Sequence, residues 1–271
     1  MDETVRMIVT GCPEDGRGSR RAWKWVLTPA GGKTYILAFR NSPLQMPHPE
    51  KHLVIAIDGP AGSGKSSTAK LVAERLGILH LDTGAMYRAV TLKCLRRGVP
   101  YADHAAVAAL VAQTEISFAG DIAGMRVRMD GEDVTAAIRS DEVTKNVSDY
   151  CVVPAVRTAL VALQRKIGER GSLVCEGRDI GTVVFPKASL KFFMVASDEE
   201  RARRRRKDFA TMGITKSIEE LIDEIRKRDH KDSSRENSPL RKADDAIELD
   251  TTNLTLDEQV ACIVDKARKF L

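Results

Sequence analysis

At 271 residues, 43% of them hydrophobic and 30% charged, the chain is long enough for one large or two ordinary globular domains, each with a proper core. No apolar run approaches the roughly 18 residues that a membrane helix needs, and MDETVRMIVTGCPEDG lacks the basic-then-apolar pattern of a secretory leader, so the reading is a cytoplasmic protein with no membrane partner. The net charge of +5 lies in residues 201–235, where twelve Lys or Arg face seven Asp or Glu; one cationic module on a neutral body suits a compact polyphosphate better than a nucleic-acid track.

In chain order, residues 1–50 carry both tryptophans, Trp23 and Trp25, and the run KTYILAF, which suggest one or two strands between turn-like stretches EDGRGS, GGK and PLQMPHPE. They form a small β-extension, an unstructured tail, or sequence ahead of a start at Met46, with the functional domain beginning near His52. Residues 53–58 read as a buried strand and residues 66–76 as an amphipathic helix. Between them GPAGSGKS, residues 59–66, fits G-x-x-x-x-G-K-[ST] in both pattern and context. Backbone N–H groups can converge on phosphate oxygens only where side chains leave room. The helix N-terminus adds partial positive charge, Lys65 a full one, and the Ser66 hydroxyl a ligand for Mg²⁺.

The next junction, ILHL followed by a helix over residues 85–97, carries DTG and then Tyr87 and Arg88. In a parallel sheet the carboxyl ends of strands face one crevice, so a hydroxyl, a ring and a guanidinium there suit a second substrate; Asp82 or Thr83 could equally cap the helix. Residues 101–152 interrupt the alternation, with a helix YADHAAVAALVAQ and then EISFAG, MRVRMDG and EDVT as a small antiparallel insert. AIRSDEVTKNVSDYC reads as one helix, and PAVRTALVALQRKIGER as another opening at Pro154. Ser148 and Arg157 on these helices are candidates to face a ligand.

A strand at residues 172–175 runs directly into EGRDIG, a second charged cluster at a strand end. KFFMVASDEE supplies another strand, and its SDEE reads as a helix start capped by Ser197 or Asp198 rather than as an ATPase acid pair. The helix containing RARRRRK and the helix SIEELIDEIRKRDH, joined by ATMGITK, resemble an arm that closes over phosphates; DAIELD and LTLDEQVACIVDKARKF end the fold as strand and helix. The five cysteines, Cys12, Cys94, Cys151, Cys175 and Cys262, lack any C-x-x-C pair and read as reduced core thiols. No guanine-reading Asn-Lys-x-Asp element is present. A cluster of Arg, Asp and hydroxyl groups opposite a phosphate loop is a place for an acceptor, and an acceptor phosphate needs no general base.

GPAGSGKSS, DTGAMYR, EGRDIGTVVFP and RKRDHKDSSR together resemble bacterial cytidylate kinase over about residues 52–271. The resemblance implies an α/β fold: a P-loop three-layer α/β/α domain with a five-stranded parallel sheet, a monophosphate-binding insert within about 84–160, and a mobile helical lid at about 200–236. It implies ATP-dependent phosphorylation of CMP and dCMP with Mg²⁺; the chain is expected to act as a monomer, although nothing in the sequence itself sets the oligomeric state. Gly59, Pro60, Ala61, Gly62, Ser63, Gly64, Lys65, Ser66 and Ser67 would hold ATP, with weaker ATP-side matches at Arg201, Arg204 and Arg205. Thr83 and Tyr87 would line the CMP pocket, Arg88 and Arg178 would hold its phosphate, and Asp179 would help read the cytosine amine. Ser148 and Arg157 match base-reading positions, Arg228 and Asp232 positions near the sugar, and Arg235 one near the transferring phosphate. Lys65, Arg178 and Arg235 are the implied catalytic set. Thr83 stands where Ser is frequent, and Glu176 where Asp is frequent.

Overall fold

The computed structural model describes residues 52–119, 126–211 and 213–271, together with three N-terminal strands, β1 (Val5–Thr10), β2 (Ala22–Leu27) and β3 (Tyr35–Arg40). These three form an antiparallel sheet in the order β1-β2-β3. The expectation of one or two strands therefore falls short by β1, whose VRMIVT pattern is β-branched-rich. Met46, Cys12 and the turn-like stretches around them lie outside the described residues.

The chain divides into two compact units, one of residues 1–49 and 85–160, the other of residues 50–84 and 161–271. In the second, β4 (Val54–Asp58), β5 (Leu79–Asp82), β9 (Leu173–Gly177), β10 (Leu190–Val195) and β11 (Ile247–Asp250) form a five-stranded sheet in the order β11-β10-β4-β9-β5. Every pairing is parallel. Such sheets are covered on both faces, which is why β4 and β9 read as continuous apolar runs rather than alternating ones. Ile55, Ile57, Val174, Phe192 and Met194 pack with Val72 of α1 (Lys65–Leu76) and with Val260 and Ile263 of α8 (Leu256–Ala267) in one buried core. Thr255 and Glu258 close a capping box at the start of α8.

Between β10 and β11 stand α6 (Asp198–Thr211) and α7 (Ile218–Ser233). Ser197 accepts the Glu200 N–H at 3.2 Å and is the cap expected from the sequence; Asp198, the other candidate, pairs with Arg201 and Arg226 instead. Ser217 and Glu220 form a capping box at the start of α7. Ala202, Phe209, Leu221 and Ile225 make the core of this helix pair. The Phe209 ring carries two cations, Arg205 and Lys216, each 4.8 Å from its centroid.

The first unit holds most of α2 (Thr83–Arg96), α3 (His104–Ala112), α4 (Asp141–Tyr150) and the start of α5 (Pro154–Gly168). Its second sheet is the antiparallel set β6 (Ile116–Ala119), β7 (Arg126–Met129) and β8 (Glu132–Asp133). Helix α2 begins two residues earlier than its periodicity suggests. AIRSDEVTKNVSDYC is not one helix: a 3₁₀ turn, Ala137–Arg139, ends at Ser140, whose extended backbone and side chain cap α4 through the Val143 N–H at 3.3 Å.

Phe209→Ala removes the common anchor of α6 and α7 and should cost about 3–5 kcal/mol of local packing. Amide exchange should accelerate across residues 198–233 and stay slow in β4 and β9, which mass-resolved hydrogen exchange would read.

Candidate active site

At the end of β4 the chain turns through Gly59, whose φ of 147° is open to glycine, and a Cβ there would sit 2.1 Å from the Met194 carbonyl oxygen of β10. The loop 59–64 thus lies directly against the neighbouring strand, and α1 starts at Lys65. The Lys65 side chain is buried, its ammonium donating to the Pro60 carbonyl at 2.5 Å and the Ser63 hydroxyl at 3.2 Å. Burial, and then the charges of Arg178 and Arg228, push its pKa well below the ordinary lysine range, against the pull of Glu176 and Asp58. A lysine so placed gains most by meeting an anion.

Ser66, one residue on, donates its hydroxyl to Glu176 Oε2 at 2.7 Å, and Glu176 Oε1 lies 3.1 Å from His80 Nε2. Burial would raise the Glu176 carboxyl, but the His80 and Ser66 hydrogen bonds and the nearby positive charge hold it below its usual range. Thr83, the first residue of α2, donates to the Glu176 carbonyl at 2.7 Å. The acid that meets the phosphate loop is therefore Glu176 at the end of β9, while the SDEE run after β10 caps a helix.

After β9, Arg178 donates through Nε to Asp232 Oδ2 at 2.9 Å, and Arg235 binds the other oxygen of the same carboxylate. Asp232 is only 1% exposed. Burial would raise its carboxyl, yet Arg178, Arg235 and Arg228 hold it below the usual range. Asp179 is buried just before a short π-turn, residues Ile180–Val184, and its carbonyl accepts the Val183 and Val184 N–H groups. The Asp58 carboxylate accepts the Ile180 and Gly181 N–H groups at 2.8 and 2.7 Å. Burial raises the Asp58 pKa to about 6 despite those two bonds, with Asp179 adding to the rise and Lys65 opposing it.

The arginines of α6 differ in their partners. Arg201 is buried and donates to the Ala61 carbonyl of the loop at 2.8 Å, while also pairing with Asp198 and Asp229. Arg204 holds Glu200 at 3.0 Å and reaches the Thr251 hydroxyl at 3.0 Å and carbonyl at 2.6 Å. Thr251, completely buried after β11, also bonds the Ser63 carbonyl at 3.0 Å. Gln259 of α8 accepts from Thr68 of α1 at 2.8 Å. Arg205 lies on Phe209.

In the first unit, Tyr87, Ser148 and Arg157 are buried, and the Arg157 guanidinium sits 5.9 Å from the centre of the Tyr87 ring. Arg88 donates to Thr144 Oγ1 at 2.7 Å and to the Ile138 carbonyl at 3.4 Å. The expected residues thus fall into a phosphate-loop group with Lys65, Arg178, Arg228, Asp232 and Arg235, and a Tyr87–Arg157 group with Ser148 and Arg88 on neighbouring helices. Asp58, His80, Thr251 and Gln259 were not foreseen, because only sheet order brings them beside the loop. None of the four described cysteines is in a disulfide, and Cys94, Cys151 and Cys175 are buried, as expected of core thiols.

The chain matches the cytidylate kinase family profile over residues 55–269. It is 50% identical over 222 residues to a cytidylate kinase of Streptococcus suis (strain 05ZYH33), covering 82% of this chain and 99% of that one. It is 52% identical over 223 residues to one of Limosilactobacillus fermentum, covering 82% and 98%. The chain belongs to the cytidylate kinase family. A further relative, the cytidylate kinase of a Geobacter species (strain M21), is 47% identical over 209 residues, covering 77% of this chain and 90% of that one.

Two measurements probe this site without turnover. Thr251→Val removes the hydroxyl shared by Arg204 and Ser63 at nearly constant volume and should weaken ATP binding about tenfold in calorimetric titration, while Thr251→Ser should restore it. The buried carboxylates also give stability two opposing pH dependences. Asp232 and Glu176 have lowered pKa values, so their contribution is present above the unfolded carboxylate range and is lost as pH falls through their folded values. Asp58, raised from 3.8 to about 6, keeps in the folded state a proton that the unfolded chain has lost, so its contribution declines as pH rises from about 4 to about 6. Relative to Asp58→Asn, the wild type should lose about 3 kcal/mol across that window in urea unfolding.

Proposed function

We propose that the protein transfers the terminal phosphoryl group of ATP to CMP and dCMP, giving CDP and dCDP, with Mg²⁺ accompanying the donor. The observation that carries this reading is the set of cations around one loop: Lys65 inside it, Arg178 and Arg235 on one buried carboxylate beside it, in a chain of the cytidylate kinase family. The loop residues Gly59, Ala61, Gly62, Ser63, Gly64, Ser66 and Ser67 present backbone N–H groups and the helix N-terminus to the ATP phosphates, while Pro60, which has no N–H, completes the loop and accepts from Lys65 through its carbonyl. Among the described residues no three His, Cys, Asp or Glu gather to hold a metal on their own. The hard oxygen of Ser66, 2.7 Å from the Glu176 carboxylate, fits Mg²⁺, which prefers one or two protein oxygens with phosphates and water completing its shell. Bound there, Mg²⁺ supplies neutralising charge to the phosphate oxygens.

The chain's own part in the reaction is positional and electrostatic. The acceptor phosphate is already ionised at neutral pH, so no residue need take a proton from it. Lys65, uncharged by burial more readily than an ordinary lysine, becomes fully cationic beside phosphate and follows the transferring group. Arg178 and Arg235 offer their remaining N–H donors to the acceptor and transferring phosphates, held in place by Asp232. Arg88 binds the CMP phosphate, Thr83 and Tyr87 line its pocket, and Arg228 and Asp232 meet the sugar. Ser148, Arg157 and Asp179 read the base; a carboxylate accepts from the cytosine N4 amine and repels the uracil oxygen. Arg201, Arg204 and Arg205 serve the ATP side of a closing lid at about residues 200–236, and the functional domain spans residues 51–271 as a cytoplasmic monomer. No described helix is long and apolar enough to cross a membrane.

ADP release should follow addition of CMP or dCMP and far exceed that with UMP or AMP in a coupled spectrophotometric assay; ATP turnover indifferent to CMP would refute the reading. Lys65→Ala should lower kcat on the order of 10³ or more. Asp179→Ala should reduce the preference for CMP over UMP while ATP affinity stays near its wild-type value. Equal losses of both would contradict the role given to Asp179.

A further inference from the structure

The last residue of β4 has no place in the scheme above. Asp58 is 5% exposed, and its two carboxylate oxygens accept the Ile180 and Gly181 N–H groups. These are the first two N–H groups of the π-turn, the donors a helical turn cannot satisfy internally. The turn follows Asp179 immediately, and the Asp179 carbonyl accepts from Val183 and Val184 at its other end. The backbone of Asp179, at φ −144° and ψ 26°, is therefore held between a turn capped from another strand and the end of β9. The fit has no slack: a Cβ on Gly181 would lie 3.3 Å from Asp58 Oδ2 and 3.1 Å from Lys191 Cδ. The charged groups facing Asp58 are Asp179, of like sign, and Lys65, of opposite sign, while the Lys191 ammonium is engaged by the Pro186 carbonyl and Asp245.

We propose that Asp58 is a positioning residue for base selectivity: its two oxygens clamp the turn 180–184 and so fix where Asp179 presents its carboxylate. Asn at position 58 keeps the shape but offers one acceptor to two N–H donors, leaving one of them facing an amide N–H. The turn then shifts and the base-reading carboxylate with it. Because Asp58 also immediately precedes the phosphate loop, the same residue ties the donor cradle to the acceptor-reading turn through one strand end. The inference rests on the reading that Asp179 meets the cytosine amine.

The experiment compares Asp58→Asn, Gly181→Ala and Asp179→Ala in the full chain, measuring kcat/KM for CMP and for UMP, KM for ATP, and the melting temperature. Gly181→Ala strains the clamp from the opposite side with the carboxylate intact, so the test survives if Asp58→Asn does not fold. Both clamp variants should lower the CMP-to-UMP ratio by about tenfold with KM for ATP within about twofold, because a misplaced polar reader loses discrimination faster than turnover. If Asp179→Ala abolishes the ratio while both clamp variants keep it, or lower CMP and UMP equally, the proposal is overturned. If Asp179→Ala itself keeps the ratio, the base-reading role of Asp179 fails and the clamp's role in selectivity falls with it.

Discussion

Asp58 pairs with Gly177 on one side and Phe193 on the other, and all three strands run in the same direction. Parallel register places the carboxyl ends of β10, β4 and β9 along one edge of the sheet, so the loop after β4 and the charged cluster after β9 must be neighbours. Antiparallel pairing would have put them at opposite edges. The contacts that make the site follow from this: Ser66 with Glu176 across 110 residues, Asp58 with Ile180 across 122, and Thr251 with Ser63 across 188.

Gathering so many charges under cover is a poor way to gain stability. Removing an ion from water costs several kcal/mol, and a partner repays this only with close geometry. Asp232 meets that condition by accepting from two arginines, whereas Lys65 reaches only neutral oxygens through its hydrogen bonds and is driven toward neutrality. A lysine that burial drives toward neutrality and a carboxyl whose pKa burial raises to about 6 are the signs of a site arranged for a charged ligand rather than for the empty fold.

Much of this was legible in the sequence where a local rule governs it. GPAGSGKS fixed the strand-loop-helix order, Pro154 opened α5, and Ser197 capped α6, since each needs only its neighbours. Ser140 ended a helix that periodicity alone carried through, although S-D-E-V is itself a cap signal. The π-turn gave no warning, because GTVV has neither helical period nor cap. Asp58, His80, Thr251 and Gln259 were hidden for another reason: as single residues they fit a strand end or a helix face, and their partners are set by strand order. The roles of Arg178, Asp179 and Asp232 came from resemblance, not from spacing.

The arginine run of α6 shows where sequence and geometry meet. Five arginines in six positions leave the register open on paper, and the helix resolves it by period. Arg201 and Arg204, three apart, turn inward to the Ala61 carbonyl and to Thr251, while Arg203 and Arg206 are exposed. Both inward arginines therefore grip the backbone or the support of the phosphate loop. A Cβ on Gly62 would lie 3.1 Å from Arg201 Cβ, so helix and loop touch with no side chain between them. Any movement of α6 must then either carry the loop with it or break those hydrogen bonds. The two inward arginines, proposed to meet ATP, thus also couple the helix pair to the loop proposed to hold its phosphates, so that, on that reading, closure over the donor and shaping of the loop are one event.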